Sequence, residues 1–134
     1  MNAKLILQLS LFGLAMGLGT VFFIPSAVEP ICWLLVFIVC AYFIGKRAPR
    51  LHFLHGLLLG LANSVWVTAS HILFVDRYLT THAREAAMMA SSPNFGSPRL
   101  MMLVVGPVVG IISGIVIGVL AWIAGKIFKQ PATA

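Results

Sequence analysis

Four runs of apolar residues, each close to the length that a membrane-crossing helix needs, dominate this sequence. An α-helix needs roughly 20 such residues to cross a hydrocarbon core about 30 Å thick. Hydrophobic residues make up 60% of the 134 positions and charged residues only 9%, whereas a soluble domain of this size carries far more charge. The sequence therefore predicts an integral membrane protein with one membrane domain over residues 1–134.

The residues that interrupt the runs set the expected helix boundaries. The segment PSAVEP, with two prolines, separates the first two runs, and KRAPR ends the second. The third run stays apolar to about Val75, and the residues after it favour helix as far as Ser91. Ser97 and Pro98 form a start signal for the last helix. We expect an all-α, antiparallel four-helix bundle with helices over about 5–24, 31–45, 51–91 (outside the membrane from about 76) and 98–128.

The basic residues indicate how such a bundle is oriented. Six of them fall on the side of the termini: Lys4, Lys46, Arg47, Arg50, Lys126 and Lys129. Three fall on the other side: Arg77, Arg84 and Arg99. Basic residues accumulate on the cytoplasmic side, so we expect both termini in the cytoplasm, and a bacterial inner membrane as the location. The same rule and the attraction to anionic lipids account for the net charge of +6, so the expected partner is the lipid bilayer and not nucleic acid.

Small residues recur every four positions in the last two helices. The fourth helix carries Gly106, Gly110, Gly114 and Gly118 at this spacing. The third helix has a matching series, Gly56, Gly60, Ser64 and Thr68. Without a hydrophobic drive between helices in lipid, small residues at this spacing let two backbones approach closely. The pattern, a glycine zipper, predicts glycine-rich helix packing.

Two interpretations of the zipper remain open. In the first, the small faces of the third and fourth helices meet inside one chain and form its packed interior. In the second, the fourth helix presents its strip of glycines to another subunit, which gives a homo-oligomer or a complex with other membrane proteins. The spacing of Gly106 to Gly118 is the same in both cases.

Asn63 and His71 are the candidate polar site. Both lie on the same face of the third helix as its small residues, since each residue turns the helix by about 100°. Polar side chains inside a bilayer are costly and often mark a path for a solute. The alternative is that Asn63 and His71 form hydrogen bonds between helices.

A weaker hypothesis concerns copper. The soft ligands in question flank the outer connection: His82, Met88, Met89, Met101 and Met102. Thioethers and an imidazole suit Cu(I). In the alternative interpretation the methionines pack the joint between two helices, and His82 forms a solvated surface pair with Glu85.

The sequence contains no arrangement typical of an enzyme. Its three acids, Glu29, Asp76 and Glu85, all lie at or beyond the outer ends of the predicted helices. We interpret Glu29 as an interfacial carboxylate. Paired carboxylates, nucleophile elbows, zinc-binding helices and phosphate-binding loops are missing from the sequence. We therefore predict a non-enzymatic protein without a cofactor.

Three functional hypotheses follow. The first is a membrane module that self-associates or supports a complex through its glycine faces. The second is a small channel or carrier with a polar path near Asn63 and His71. The third is a protein that binds a lipid, another ligand or copper within the membrane.

Overall fold

The computed structural model of the protein describes residues 1–128, and at Pro93 the backbone alone. This part of the chain contains helices and no strand. The α-helices are α1 (Ala3–Phe22), α2 (Glu29–Arg47), α3 (His52–Leu73), α4 (Val75–Thr81), α5 (Ala83–Ala90) and α6 (Pro98–Ile127), with a short 3₁₀ helix at Pro93–Phe95. Four of them, α1, α2, α3 and α6, are long and apolar enough to cross a membrane. The predicted all-α class is confirmed, as is the prediction of four helices apolar enough to cross a membrane.

Helix starts follow local signals in the sequence. The side chain of Asn2 accepts a hydrogen bond of 3.0 Å from the amide of Leu5 and caps α1. Ser97 caps α6 in the same way, with its hydroxyl oxygen 3.2 Å from the amide of Leu100. Pro30 lies in the first turn of α2, where its missing N–H is not needed. These signals act within a few residues, so they are readable from sequence.

The segment expected to form one helix over 51–91 is divided into α3, α4 and α5. The backbone leaves the helical conformation at Phe74 and again at His82. A straight helix would have carried Tyr78 and His82 away from the bundle. The two breaks instead leave Tyr78 6% exposed and His82 fully buried. Burial of these side chains against the rest of the protein outweighs the local helix propensity of the segment.

The helix α3 occupies the centre of the protein, since it packs along α6 on one side and along α1 on the other. A Cβ at Gly60 would collide with the backbone of Gly114, and one at Gly56 with the backbone of Gly118. A Cβ at Gly13 in α1 would lie 2.6 Å from Oδ1 of Asn63. The backbones in these contacts approach so closely that no side chain fits between them.

The four long helices do not pack equally along their length. Their terminal half, near the N-terminus and the α2–α3 turn, has a core to which α1, α2, α3 and α6 all contribute. Its buried residues are Leu5, Leu9, Cys40, Ala41, Ile44, Ala48, Leu59, Ile117 and Ala121. The opposite half, here called the α5 half, has a smaller core of Val21, Val75, Tyr78 and Met102. None of the described α2 residues belongs to that second core.

Candidate functional site

A cavity of about 520 Å³ lies in the α5 half, between α2, α3 and α6, with α4 and α5 at its outer end. The glycine contact between α3 and α6 forms one side of it, through Gly60, Ser64, Gly106 and Gly110. Gly56, Gly114 and Gly118 lie in the α3–α6 contact and do not line the cavity. Aromatic and aliphatic residues form much of the remaining wall: Trp33, Phe37, Val67, Val105 and Val109.

Asn63 lines this cavity and is 3% exposed. Neither Nδ2 nor Oδ1 of its amide has a hydrogen-bond partner among residues 1–128. A buried polar group without a partner costs about 1–3 kcal/mol. A carboxamide offers two donors and one acceptor, so a bound molecule with a polar group would satisfy it.

His71, the second predicted polar residue, lines the same cavity but is hydrogen-bonded. Its Nε2 lies 2.8 Å from the hydroxyl oxygen of Thr20 in α1. That hydroxyl also lies within 2.9 Å of the carbonyl oxygen of Met16. The tautomer of His71 sets which of the two side chains donates in this hydrogen bond. The structure thus brings Asn63 and His71 to one cavity and leaves only Asn63 without a partner.

An aromatic stack joins His71, Tyr78 and His82. The ring centroids of His71 and Tyr78 are 4.0 Å apart, and those of Tyr78 and His82 are 4.2 Å apart, with the planes inclined by 23° and 19°. Burial, and then the carboxylates of Glu29 and Glu85, raise the pKa of Tyr78 well above its ordinary value. The phenol therefore stays neutral at the wall of the cavity.

His82 does not lie on the surface, where the sequence predicted it to be. It is fully buried, and its Nε2 lies 3.4 Å from Oε2 of Glu29 instead of pairing with Glu85. Glu85 accepts a hydrogen bond of 3.1 Å from the hydroxyl of Ser26. The helix breaks that bury Tyr78 are the reason, because they turn His82 inward toward the start of α2.

Two acidic side chains, Glu29 and Glu85, line the cavity. They are two of only three acids in the chain, which has nine Lys and Arg residues. No Lys or Arg within residues 1–128 lines the cavity. Trp33 donates a hydrogen bond of 3.2 Å from Nε1 to Oε1 of Glu29 and so orients that carboxylate. In a strongly basic protein, this cavity has acidic walls.

The four methionines of the copper hypothesis, Met88, Met89, Met101 and Met102, also line the cavity. His82 does not line it, and its ring lies between Tyr78 and Glu29. Among residues 1–128, no three His, Cys, Asp or Glu side chains are close enough to hold a metal ion. The copper site stays a prediction. The four methionines line one cavity, whereas the imidazole of His82 lies outside it.

Sequence reasoning did not select Glu29, Trp33, Tyr78 and Glu85 as site residues. One signal for them was present, since all three acids of the chain lie toward the same end of the predicted helices. Charges that are rare in a membrane protein and fall at one depth are candidates for a shared site. These four residues become neighbours only because α4 and α5 lie near the start of α2 in the folded protein.

No protein-family model matches the chain, and neither a curated protein nor a solved structure matches it. The candidate site is therefore defined by its own geometry. That geometry consists of an apolar cavity, one amide without a partner, an aromatic stack and two carboxylates.

Proposed function

We propose that this protein binds an apolar small molecule, taken up from the bilayer, in the cavity of its α5 half. The observation that carries the proposal is the cavity of about 520 Å³ with the buried amide of Asn63 on its wall. Pockets for small molecules have volumes of about 300–1,000 Å³ and combine apolar walls with a few polar groups. A ligand with one polar group would pair with Asn63 and bury the rest of its surface. We propose no catalytic role and no cofactor.

We also propose that the four long helices form an antiparallel bundle with glycine-rich packing. The succession of contacts along α3 and α6 supports this, since Gly56 meets Gly118, Gly60 meets Gly114, and Ser64 meets Gly110. The same packing explains the cavity. It draws α3 and α6 together, while the bulky Trp33 of α2 lies on the opposite wall.

The geometry favours ligand binding over self-association through the glycine strip. Within one chain, α3 already lies against Gly110 and Gly114, so a second copy would have to use another surface. A homo-oligomer or a complex with other membrane subunits remains a prediction. The native mass of the protein in lipid nanodiscs tests it.

For the location we propose a bacterial inner membrane with both termini in the cytoplasm. Lys46 and Arg47 at the end of α2 and Lys126 near the end of α6 support this orientation. Lys129, which contributes to the same count, lies outside the described residues. Reporter fusions to each terminus, active either in the cytoplasm or in the periplasm, would test the orientation.

The binding proposal is tested by fluorescence of Trp33, which lines the cavity. Trp66 and Trp122 are replaced by Phe, and the protein in nanodiscs is titrated with a neutral brominated alkyl alcohol as quencher. A second protein retains only Trp122, which is 50% exposed on the outside of α6. We expect quenching of Trp33 to saturate and that of Trp122 to rise linearly as the alcohol enters the lipid.

Variants of α3 complete this test. Asn63→Leu should weaken the saturable quenching, because the polar partner for the alcohol is lost. Val65→Ile, on a side chain that is 66% exposed, should leave it unchanged. If Trp33 is quenched linearly, like Trp122, the cavity takes up no ligand and the proposal is wrong.

A further inference from the structure

We infer that the molecule bound in this cavity is a lipophilic organic cation, meaning a positively charged centre with apolar substituents. The inference rests on the proposed ligand-binding function and names its ligand class. Charge, hydrogen bonding and the chemistry of the cavity wall each support it.

The charge of the cavity is opposite to that of the protein. Glu29 and Glu85 line the cavity, and no Lys or Arg of residues 1–128 does, although the chain has a net charge of +6. Both carboxylates are partly buried at the outer end of the cavity, where their negative charge attracts a cation. A neutral ligand would not need either carboxylate, and an anionic one would be repelled by both.

Both carboxylates keep capacity for a ligand. Glu29 accepts one hydrogen bond from Trp33 and has the imidazole of His82 beside it, and Glu85 accepts one from Ser26. A carboxylate has about four acceptor positions. Apart from His82 beside Glu29, no basic side chain of residues 1–128 lies within ion-pair distance of either group. An arriving cation therefore displaces no existing Lys or Arg.

The walls select an organic cation over a hydrated metal ion. Trp33 and Phe37 present aromatic rings, whose electron-rich faces attract cations. Tyr78 contributes no ring face, because His71 and His82 stack on its two sides. The four methionines add polarisable sulfur atoms that adapt to irregular apolar groups. The cavity offers no cluster of three His, Cys, Asp or Glu ligands within the described part of the chain.

Asn63 supports ligand binding in this cavity independently of the two acids. Its amide is buried in the cavity wall without any partner among the described residues. Its Oδ1 lies against Gly13 of α1, and a polar group of the bound molecule that reached this part of the wall would give the amide a partner. The charged centre would lie at the two carboxylates, whereas Asn63 lies eight positions before His71 on α3, about 12 Å farther from the outer end.

The test compares three probes of matched shape in nanodiscs of zwitterionic lipid, with empty nanodiscs as background. They are benzyltrimethylammonium, its neutral analogue neopentylbenzene, in which carbon replaces nitrogen, and the anion benzylsulfonate. Equilibrium dialysis gives the affinity of each. We expect the cation to bind roughly tenfold more tightly than the neutral analogue, because the charges interact in a medium of low dielectric constant. The anion should not bind above background.

Substitution of the acids then shows whether Glu29 and Glu85 cause the preference for the cation. Glu29→Gln and Glu85→Gln should each lower the affinity for the cation on the order of tenfold and leave that for neopentylbenzene unchanged. Unchanged binding of the neutral probe also shows that the variant is folded. Asp76→Asn is the matched control, since Asp76 is the third acid of the chain and does not line the cavity.

The outcomes separate the two proposals. Equal affinity for the cation and the neutral analogue would overturn the inference and leave the ligand-binding function in place. Tighter binding of the cation that survives in the Glu29→Gln/Glu85→Gln double variant would also overturn it. If none of the probes binds and Trp33 shows no saturable quenching, the proposed function itself is wrong.

Discussion

In the terminal half of the protein α1, α2, α3 and α6 share one buried core, whereas in the α5 half a cavity separates α2 from α3 and α6. The sequence of α2 differs in the same way. Its end near the α2–α3 turn carries the small residues Cys40, Ala41 and Gly45, and a Cβ at Gly45 would lie 2.6 Å from that of Ala124. Its other end carries Trp33 and Phe37. Close packing at one end holds the helices while bulky residues keep the other end open.

The two halves show how a small membrane protein can contain a cavity lined by polar groups without a separate domain. The terminal half provides the packing that holds the helices in place. The α5 half contains groups that weaken packing, namely the unpartnered amide of Asn63 and the carboxylates of Glu29 and Glu85. Stability and site chemistry are therefore divided between the two halves.

We expect the largest effect from truncating a core side chain in the terminal half, compared with a wall side chain of the cavity in the α5 half. Ile117→Ala removes a fully buried side chain from the terminal core and should cost about 3 kcal/mol of unfolding free energy. Val109→Ala, at a cavity wall and 50% exposed, should cost less than about 1 kcal/mol. Unfolding in mixed micelles measures both. Equal losses would contradict the comparison, since the extra carbon of Ile accounts for only about 0.8 kcal/mol.

The glycine contact is expected to give the next largest effect. Gly60→Ala places a Cβ against the backbone of Gly114, which cannot yield without separating α3 from α6. We expect a loss of about 2–3 kcal/mol, as for overpacked interiors. In Gly19→Ala the new Cβ would meet only the flexible end of Ile24, at 3.0 Å, so the thermal midpoint should barely change. Similar midpoints for the two variants would show that the glycine contact is not needed.

We expect Asn63→Leu to raise the free energy of unfolding and to lower the affinity for the ligand. The substitution removes two buried polar atoms without partners at nearly constant side-chain size. We expect the ligand-free protein to gain about 1 kcal/mol of unfolding free energy while it loses ligand affinity. Chemical unfolding with and without the brominated alcohol measures both quantities. A destabilised variant would mean that the Asn63 amide has a structural partner.

The smallest expected effect is a dependence on alkaline pH. The raised pKa of Tyr78 means that the folded state keeps the phenol proton where the unfolded state loses it. This contribution is fully present below the ordinary tyrosine pKa and is lost as the pH rises above it. The thermal midpoint of the wild type should therefore fall more steeply above about pH 10 than that of Tyr78→Phe. Parallel curves would indicate that Tyr78 titrates like an exposed tyrosine.

The four spans were predictable because each depends on a run of neighbouring residues. The prediction of a single helix over 51–91 was wrong, because the helix is interrupted at Phe74 and His82, where Tyr78 and His82 become buried. Asn63 and His71 were predicted as a polar site from the helix face that they share, and both line the cavity. The sequence did not predict Glu29 as the partner of His82, because the two residues lie on different helices and only the fold brings them together.

Local sequence is enough to specify a helical protein with four apolar segments able to cross a membrane. That result follows because the transfer of a helix into lipid depends on the sum of its own residues. The three-dimensional packing was needed to show that a cavity lies between α2, α3 and α6, and that Glu29 and Glu85 line it. Contacts such as that between Ser26 and Glu85 join residues 59 positions apart. Their formation depends on how the side chains of several helices fit together, which no single segment encodes.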